Sequence, residues 1–325
     1  MLSPWQQFLA SRPTAPAAET LAADLSPLGL LRVDGADART FLQGQLSTNL
    51  NTLRAEQGQF SSWNSPRGRV LTLLHVFLHD DAVHLALPHG LLITVMQGLG
   101  RYVLRAKVTL ADASDTLVRI GLAGTSAPAQ LARLGLSVPQ DRWATATQDG
   151  ITLMRLHGEP PRYVCHGSAT RLIELAAALD GHVHWGQADD WALTGIRAGE
   201  PVIYPETSDQ FVAQMLALDA LGGIDFKKGC YTGQEIIARA HYRGRVKRHL
   251  ARMSLQGSAR FVPGTVIQSA GQNAGVLLDA RPETDGTQAA LAVMQEEQLD
   301  GTSFRIGGDA PVVVTLEQIY RTPDQ

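Results

Sequence analysis

DFKKGCYTGQEIIARAHYRGRVKRHL, residues 225–250, departs from the rest of the chain in both charge and local structure. Thr232-Gly233-Gln234-Glu235 has the spacing of a capping box, in which a threonine hydroxyl accepts from the amide three residues on and the glutamate returns to the cap. A helix is therefore expected from Gly233 to about Tyr242, ending at Arg243-Gly244 with Gly244 suited to a left-handed terminus. Cys230 falls two residues before the cap, at the positive end of that helix and beside Lys227 and Lys228. Both influences favour a thiolate. The competing reading is a small residue packed beneath the turn, since free cysteine is commonly buried.

Between residues 227 and 249 there are seven basic residues, Lys227, Lys228, Arg239, Arg243, Arg245, Lys247 and Arg248, against the single acid Glu235. The segment carries +6 where the whole chain carries −3, which leaves −9 for everything else. Cations concentrated at a helix and the strand after it suit a carboxylate tail or a phosphate backbone. A solvated charged face is the plain alternative.

Working outward, the chain has 325 residues, 44% hydrophobic and 18% charged, with two cysteines, Cys165 and Cys230. Such a composition excludes a disordered or collagen-like chain, and the length suggests two or three domains. Two cysteines are too few for a disulfide scaffold and fit a reducing compartment. The N-terminal stretch lacks the basic and apolar regions of a secretory signal. Val70–Leu78, the most apolar run, is interrupted by His75 and is far short of the roughly 20 residues of a membrane span. A cytoplasmic protein with no membrane contact is expected.

Residues 11–27 read as a loosely ordered lead-in, with structure beginning near Leu28. Leu30–Val33 reads as a strand and Ala36–Leu50 as a helix carrying Phe41, Leu42 and Leu46. The alternating runs on either side of Asp80-Asp81 read as a β-hairpin, followed by a helix at 90–105 and a strand at Lys107–Leu110. Further strands fall near 117–122, 152–156 and 163–166, with a helix from Ala169 to Leu179 stopped at Gly181. Beyond Lys247, short strands between Gly, Pro, Asn and Asp suggest a small β-barrel. The fold class is α+β.

The histidines do not suggest a metal site. His75, His79, His84 and His89 fall in or beside the hairpin, and His182 and His184 alternate without an acid or cysteine at ligand spacing, so all six are assigned structural or surface roles. Cys165 and His166 are adjacent on a strand, point to opposite faces and cannot form a dyad. Gly98-Leu-Gly100 lacks the third glycine of a dinucleotide fingerprint, and neither a phosphate-binding loop nor a Gly-x-Ser-x-Gly elbow occurs.

KGCYTGQE followed by ARAHYRGRVKR resembles the signature of the YgfZ family of folate-binding proteins, relatives of the T-protein (aminomethyltransferase) of the glycine cleavage system. The resemblance extends to Gly35–Asn49 (GADARTFLQGQLSTN), Ser65–Arg69 (SPRGR), Gly195–Pro201 (GIRAGEP) and the lead-in from Leu221. It implies a three-domain, cloverleaf-like T-protein fold: residues 18–48 with 148–244 as a folate-binding domain, 49–147 as a second α+β domain, and 245–325 as a C-terminal barrel. It further implies a tetrahydrofolate cofactor, no metal, and a role in assembly or repair of iron–sulfur client enzymes, among them tRNA-modifying enzymes such as a methylthiolase. Carried over residue by residue, Cys230 is the reactive group with Lys228 keeping it ionised. Gly229, Tyr231, Thr232, Gly233, Gln234 and Glu235 complete the signature. Leu28 and Trp191 line the folate site, Leu28 standing where the family has an aromatic residue. Arg239, Arg243 and Arg245 hold the glutamate tail or an acidic partner.

One departure bears on catalysis. In the aminomethyltransferases the turn equivalent to Arg67-Gly68 is followed by a pair of aspartates, and Leu71 and Thr72 stand there in this chain. Neither can handle the proton on the folate nitrogen. This argues against a glycine-cleavage enzyme. Two other readings stay open: a folate-dependent methyl or aminomethyl transferase with a different acceptor, whose base would be sought at Asp34, Asn49 or Glu200, and a direct tRNA-binding module, against which the −9 outside the basic segment weighs.

Overall fold

The alternation around Asp80-Asp81 becomes a two-residue hairpin in the structure, a computed structural model that describes residues 3–11, 19–243, 246–299, 303–307 and 312–321. Asp80 and Asp81 have φ of 47° and 60°, the left-handed pair that lets a two-residue turn follow the twist of its strands.

In chain order the first elements are α1 (Pro4–Ala10), β1 (Leu21–Asp24), β2 (Leu28–Asp34), α2 (Ala38–Gln43), β3 (Gln59–Asn64), β4 (Val70–His79), β5 (Ala82–Pro88) and α3 (His89–Val103). Next come β6 (Thr109–Asp112), β7 (Val118–Ala123), α4 (Ala127–Arg133), β8 (Thr145–Gln148), β9 (Ile151–Arg155), β10 (Arg162–Gly167), α5 (Ala169–Leu179), β11 (His184–Gly186) and α6 (Ala188–Ala198). After α7 (Gln234–Arg243) the chain is β12 (Arg248–Gln256), β13 (Val266–Ser269), β14 (Gln272–Pro282), β15 (Thr287–Gln295), β16 (Phe304–Ile306) and β17 (Val312–Tyr320). The chain divides into two compact units, residues 1–41, 50–59 and 75–194, and residues 42–49, 60–74 and 195–325.

In the first unit a six-stranded sheet has the order β11-β1-β7-β10-β9-β8. One face places Ile120, Leu122, Leu153, Tyr163 and Cys165 against Leu131 of α4 and Leu172, Leu175 and Leu179 of α5. The other face carries Arg119, Gly121, Val164 and His166, paired across β7 and β10. Cys165 and His166 thus face opposite ways as expected: the first is in the apolar core, and the second lies against the Phe77 ring at 4.1 Å between centroids. β5 lies between β4 and β2, and β6 extends the edge.

In the second unit the expected barrel is present and closed, in the order β12-β15-β14-β13-β16-β17 with β17 returning to β12. Its interior is filled by Ala251, Met253, Leu277, Ala292, Met294, Phe304 and Ile306, all buried.

Two expectations are corrected. Structure begins well before Leu28: Ser3 caps α1 through a full capping box, and β1 buries Ala22 and Ala23 completely, though residues 12–18 lie outside the described chain. Alanines carry little strand propensity, so only their burial reveals β1. The helix expected over Ala36–Leu50 stops at Gln43. Beyond it Ser47 N–H donates to Ser62 O and the Ser47 hydroxyl to Gly223 O, bonds that replace the helical ladder.

Candidate functional site

The basic segment enters the site through a loop from Leu218 to Tyr231 that is hydrogen-bonded to residues 43–48. Ser47 Oγ donates to Gly223 O at 2.6 Å, and Asp225 N–H donates to Ser47 O at 3.0 Å. Lys228 completes the attachment. Its ammonium donates to Gln43 O at 2.7 Å, Leu46 O at 2.6 Å and Thr48 O at 2.9 Å. An ammonium has three donors, and all three are engaged. The side chain is 7% exposed, and burial lowers its pKa to about 8 despite the opposing field of Asp225. The ammonium also lies 4.8 Å from the centre of the Tyr231 ring, a cation–π contact within the usual range. Burial, with Asp225 next, pushes the Tyr231 phenol well above its ordinary value.

Gly229 and Cys230 lie between these two buried anchors and are exposed. Of the two readings of Cys230, the packed residue beneath a turn is therefore excluded, and the thiol faces solvent from a loop pinned on both sides. The Lys228 donors hold backbone carbonyls and so fix the loop that carries Cys230. Cys165, by contrast, is fully buried, and its thiol is pushed up to about 12.

The capping box does not form as expected. Gly233 has φ +82° and separates Thr232 from α7, which starts at Gln234. Thr232 Oγ1 points to Gln45 Oε1 at a long 3.5 Å, and the Gln234 side chain accepts from Tyr231 N–H at 3.3 Å. Glu235 is exposed in the first turn of α7, where a carboxylate complements the helix dipole. Glycine at 233 is required by packing as well as by φ. A Cβ there would sit 2.5 Å from Ser65 O and 2.9 Å from Gly68 Cα, and one on Gly68 (φ +70°) would sit 2.6 Å from Ile236 Cβ. The Ser65–Arg69 turn and the start of α7 therefore meet glycine to glycine. The turn is closed by Ser65 N–H to Arg69 O and Gly68 N–H to Ser65 O, both 2.8 Å, and held by Ser65 Oγ on Asp209 at 2.7 Å.

Of the three arginines, Arg239 is exposed on α7; the side chain of Arg243 and the whole of Arg245 lie outside the described residues. Leu28 and Trp191 belong to the first unit. Leu28 is half-buried at the start of β2, and its carbonyl accepts from Arg119 at 2.7 Å. Trp191 is 8% exposed and packs on its own sheet: a Cβ at Gly121 would lie 2.6 Å from the indole, and the Arg162 guanidinium lies 5.2 Å from its centre. These contacts are those of a core tryptophan. Among the alternative bases, Asp34 pairs with Arg32 at 2.6 Å, which together with the Gly35 N–H holds its carboxyl below the usual range. Thr72 is fully buried and its hydroxyl donates to Leu73 O.

A buried hydroxyl network was missed by the sequence reading. Ser47, Thr48, Ser61 and Ser62 bond one another, and Ser62 donates to Asn64 Oδ1 at 3.1 Å. It begins at Thr48, whose carbonyl Lys228 holds, and ends at Asn64 Nδ2, which is buried with no partner among the described residues. The available signal was a run of small polar residues within the otherwise buried strand β3. An orphaned amide donor tied to the signature loop is a group that a ligand with hydrogen-bond acceptors could satisfy, and Arg239 is an exposed cation on α7. Among the described residues no cluster of His, Cys, Asp or Glu could hold a metal ion, and no helix is long and apolar enough to cross a membrane.

No family model matches the chain. It is similar to proteins named tRNA-modifying protein YgfZ: 32% identical over 292 residues to that of Klebsiella pneumoniae strain 342, covering 88% of each chain. Identity is 33% over 287 residues to that of Cronobacter sakazakii, with 87% of each covered. It is 31% over 330 residues to that of Escherichia coli O45:K1, with 95% of this chain and all of the other covered. Among solved structures the glycine cleavage system aminomethyltransferase T from Bartonella henselae matches with a TM-score of 0.76 and 18% identity, over 98% of this chain and 89% of that one. The likeness fixes the aminomethyltransferase-T-like fold.

Proposed function

The chain belongs to the YgfZ family, and on that premise we propose that it is a tetrahydrofolate-binding accessory protein that supports iron–sulfur client enzymes, including enzymes that modify tRNA. The observation that carries this reading is the outward-facing Cys230 on a loop immobilised by the Lys228 ammonium and the buried Tyr231 ring. A rigidly presented thiol suits transient transfer to a partner, whereas a mobile loop would have to be ordered at each encounter. The names of the relatives support a place beside tRNA-modification machinery.

Bound folate would supply a one-carbon carrier. Asn64 would donate to its heterocycle, and Arg239 with Arg243 and Arg245 would hold its glutamate tail. The chain's own part is to orient that ligand and to keep Cys230 in solvent. Glycine-cleavage chemistry is not part of this proposal, because Leu71 and Thr72 offer no carboxylate to the folate nitrogen. The cytoplasm is the compartment in which a free thiol and reduced folate would coexist.

Complementation of a deletion strain tests the reading. Cys230→Ala is expected to accumulate as folded protein yet fail to restore an iron–sulfur tRNA methylthiolase, and full restoration by that variant would end the thiol role. Calorimetry with tetrahydrofolate tests the ligand separately: the wild-type protein is expected to bind and Asn64→Leu to bind more weakly, and no heat with the wild type would remove folate from the proposal.

A further inference from the structure

Beside the signature loop, three rings pack together on the second unit. Phe226 and His241 stack at 3.8 Å between centroids with 14° between planes. Tyr242 stands nearly perpendicular to both, at 6.3 Å and 70° from Phe226 and at 4.7 Å and 78° from His241. Tyr242 is 66% exposed and Ile236 is 39% exposed. Ile236, Arg239 and Tyr242 succeed one another at steps of three along α7, so they are neighbours on its outer side. The inner side of α7 is held by Ile237, which is fully buried and whose carbonyl accepts from Gln214 at 2.7 Å.

The charge around the rings is mainly positive. Lys227 is exposed directly after Phe226, Arg239 lies between Ile236 and Tyr242, and Lys247 is exposed just beyond α7. Two acids face the same region. Glu235 is exposed at the start of α7, and the Asp225 carboxylate accepts the Lys227 N–H at 2.8 Å. With both acids included, residues 225–249 total +5 against −8 for the rest of the chain, so positive charge is concentrated here.

We propose that this outer face of α7, with Tyr242 at its centre, is a stacking platform for an unpaired stretch of RNA. Rings next to exposed cations are the chemistry that single-stranded nucleic acid selects, the bases stacking on the rings while the cations follow the phosphates. A duplex keeps its base faces covered and could use only the cations. An acidic polypeptide would be recognised by the cations without needing an exposed ring. The ring orientations are already fixed by their mutual packing, so little order is lost when a base stacks. The platform shares Arg239 with the folate reading, while its rings, Lys227 and Lys247 belong neither to that reading nor to the chemistry of Cys230.

Fluorescence anisotropy with a labelled single-stranded oligoribonucleotide of mixed sequence tests it, with the same RNA as a duplex and polyglutamate as competitors. The expected result is binding to the single strand, with a log–log salt slope of about −2 if three cations each neutralise one phosphate. Tyr242→Ala is expected to weaken binding roughly 5- to 150-fold, the loss of one base–ring stack, whereas Tyr242→Phe stays within about twofold because the ring remains. Arg239→Gln is expected to flatten the salt slope by about 0.7. Tetrahydrofolate calorimetry on Tyr242→Ala is expected to match the wild type, and Cys230→Ala to bind RNA normally. No binding at low salt, equal affinity for duplex and single strand with Tyr242→Ala unaffected, or competition by polyglutamate as strong as by RNA would each overturn the platform, the last pointing to a protein surface.

Discussion

Arg119 and Lys228 solve the same physical problem with opposite consequences. Each is a buried cation held on backbone carbonyls. Arg119, 2% exposed, donates to Leu117 O at 2.8 Å and Leu28 O at 2.7 Å, with longer bonds to Leu25 O and Ser114 O, and burial lowers its pKa to about 10. Its strand partner His166 is buried against Phe77, as is His84, and burial favours the neutral form of both. Lys228 holds three carbonyls just as tightly, yet the next two residues are in solvent. Burial of a charge is therefore no mark of function in this molecule. The difference lies in what the clamp presents, a sealed layer in one unit and an exposed thiol in the other.

Removing each clamp gives the largest expected effect. Lys228→Met and Arg119→Met each strip the partners from several buried carbonyls, and each is expected to destabilise by about 4 kcal/mol, an orphaned acceptor costing roughly 1–3 kcal/mol. Urea unfolding checks both. The comparison sharpens if Lys228→Met additionally raises hydrogen exchange across Gly229–Thr232 while Arg119→Met leaves that loop protected. A loss below about 1 kcal/mol for either variant would mean the carbonyls find water instead.

Acid separates the two units next. His84 has its pKa lowered from 6.5 to about 4, mainly by burial and then by His79, and His166 is lowered well below 6.5 by burial. A histidine kept neutral in the fold contributes stability that is complete above the unfolded value of 6.5. That contribution is lost as pH falls from 6.5 toward 4, because the unfolded chain takes up the proton first. For His84 alone the loss is about 3 kcal/mol. Stability measured against pH is expected to fall through this window in the wild type and less steeply in His84→Phe; a flat profile would show that the layer admits water.

Smaller again is the effect of the glycine contact. Gly233→Ala must adopt φ +82° and press on Ser65 O, at an expected cost of roughly 2 kcal/mol. Because the Cβ also meets Gly68, displacement of the Ser65–Arg69 turn should accompany the loss, visible as weakened amide protection at Gly68 and Arg69. Unchanged stability and protection would mean that the two motifs are not packed as described.

How legible this was depended on whether the signal was local. The hairpin at Asp80-Asp81, the helix at Ala169–Leu179 and the barrel each follow from nearest-neighbour pattern and were readable as such. The Cys230 loop was legible as a signature but not as a mechanism, since the partners of Lys228 lie about 180 residues away at Gln43, Leu46 and Thr48. A comparable separation in sequence hid the reason for Gly233, which looked like the first residue of a helix and is in fact fitted against Gly68. The ring stack joins Phe226 to His241 across the loop and helix start, a pairing no periodicity announces. Trp191 shows the converse: its role as a ligand contact came by resemblance alone, while its packing on Gly121 is a matter of core geometry.

The smallest expected effect is the most discriminating. Cys230→Ala removes an exposed thiol from a loop whose fixation depends on its neighbours Lys228 and Tyr231, so stability should change by less than about 0.5 kcal/mol and Lys228→Met should remain the destabilising variant of the pair. A protein in which Cys230 were structural would invert that order, because a buried thiol leaves a cavity when truncated. Urea midpoints of the two variants, measured side by side, decide it: a midpoint for Cys230→Ala at the wild-type value, together with a lost complementation phenotype, assigns the residue to chemistry and its lysine neighbour to architecture. A midpoint shift comparable to that of Lys228→Met would erase the distinction between a clamp that seals and a clamp that presents.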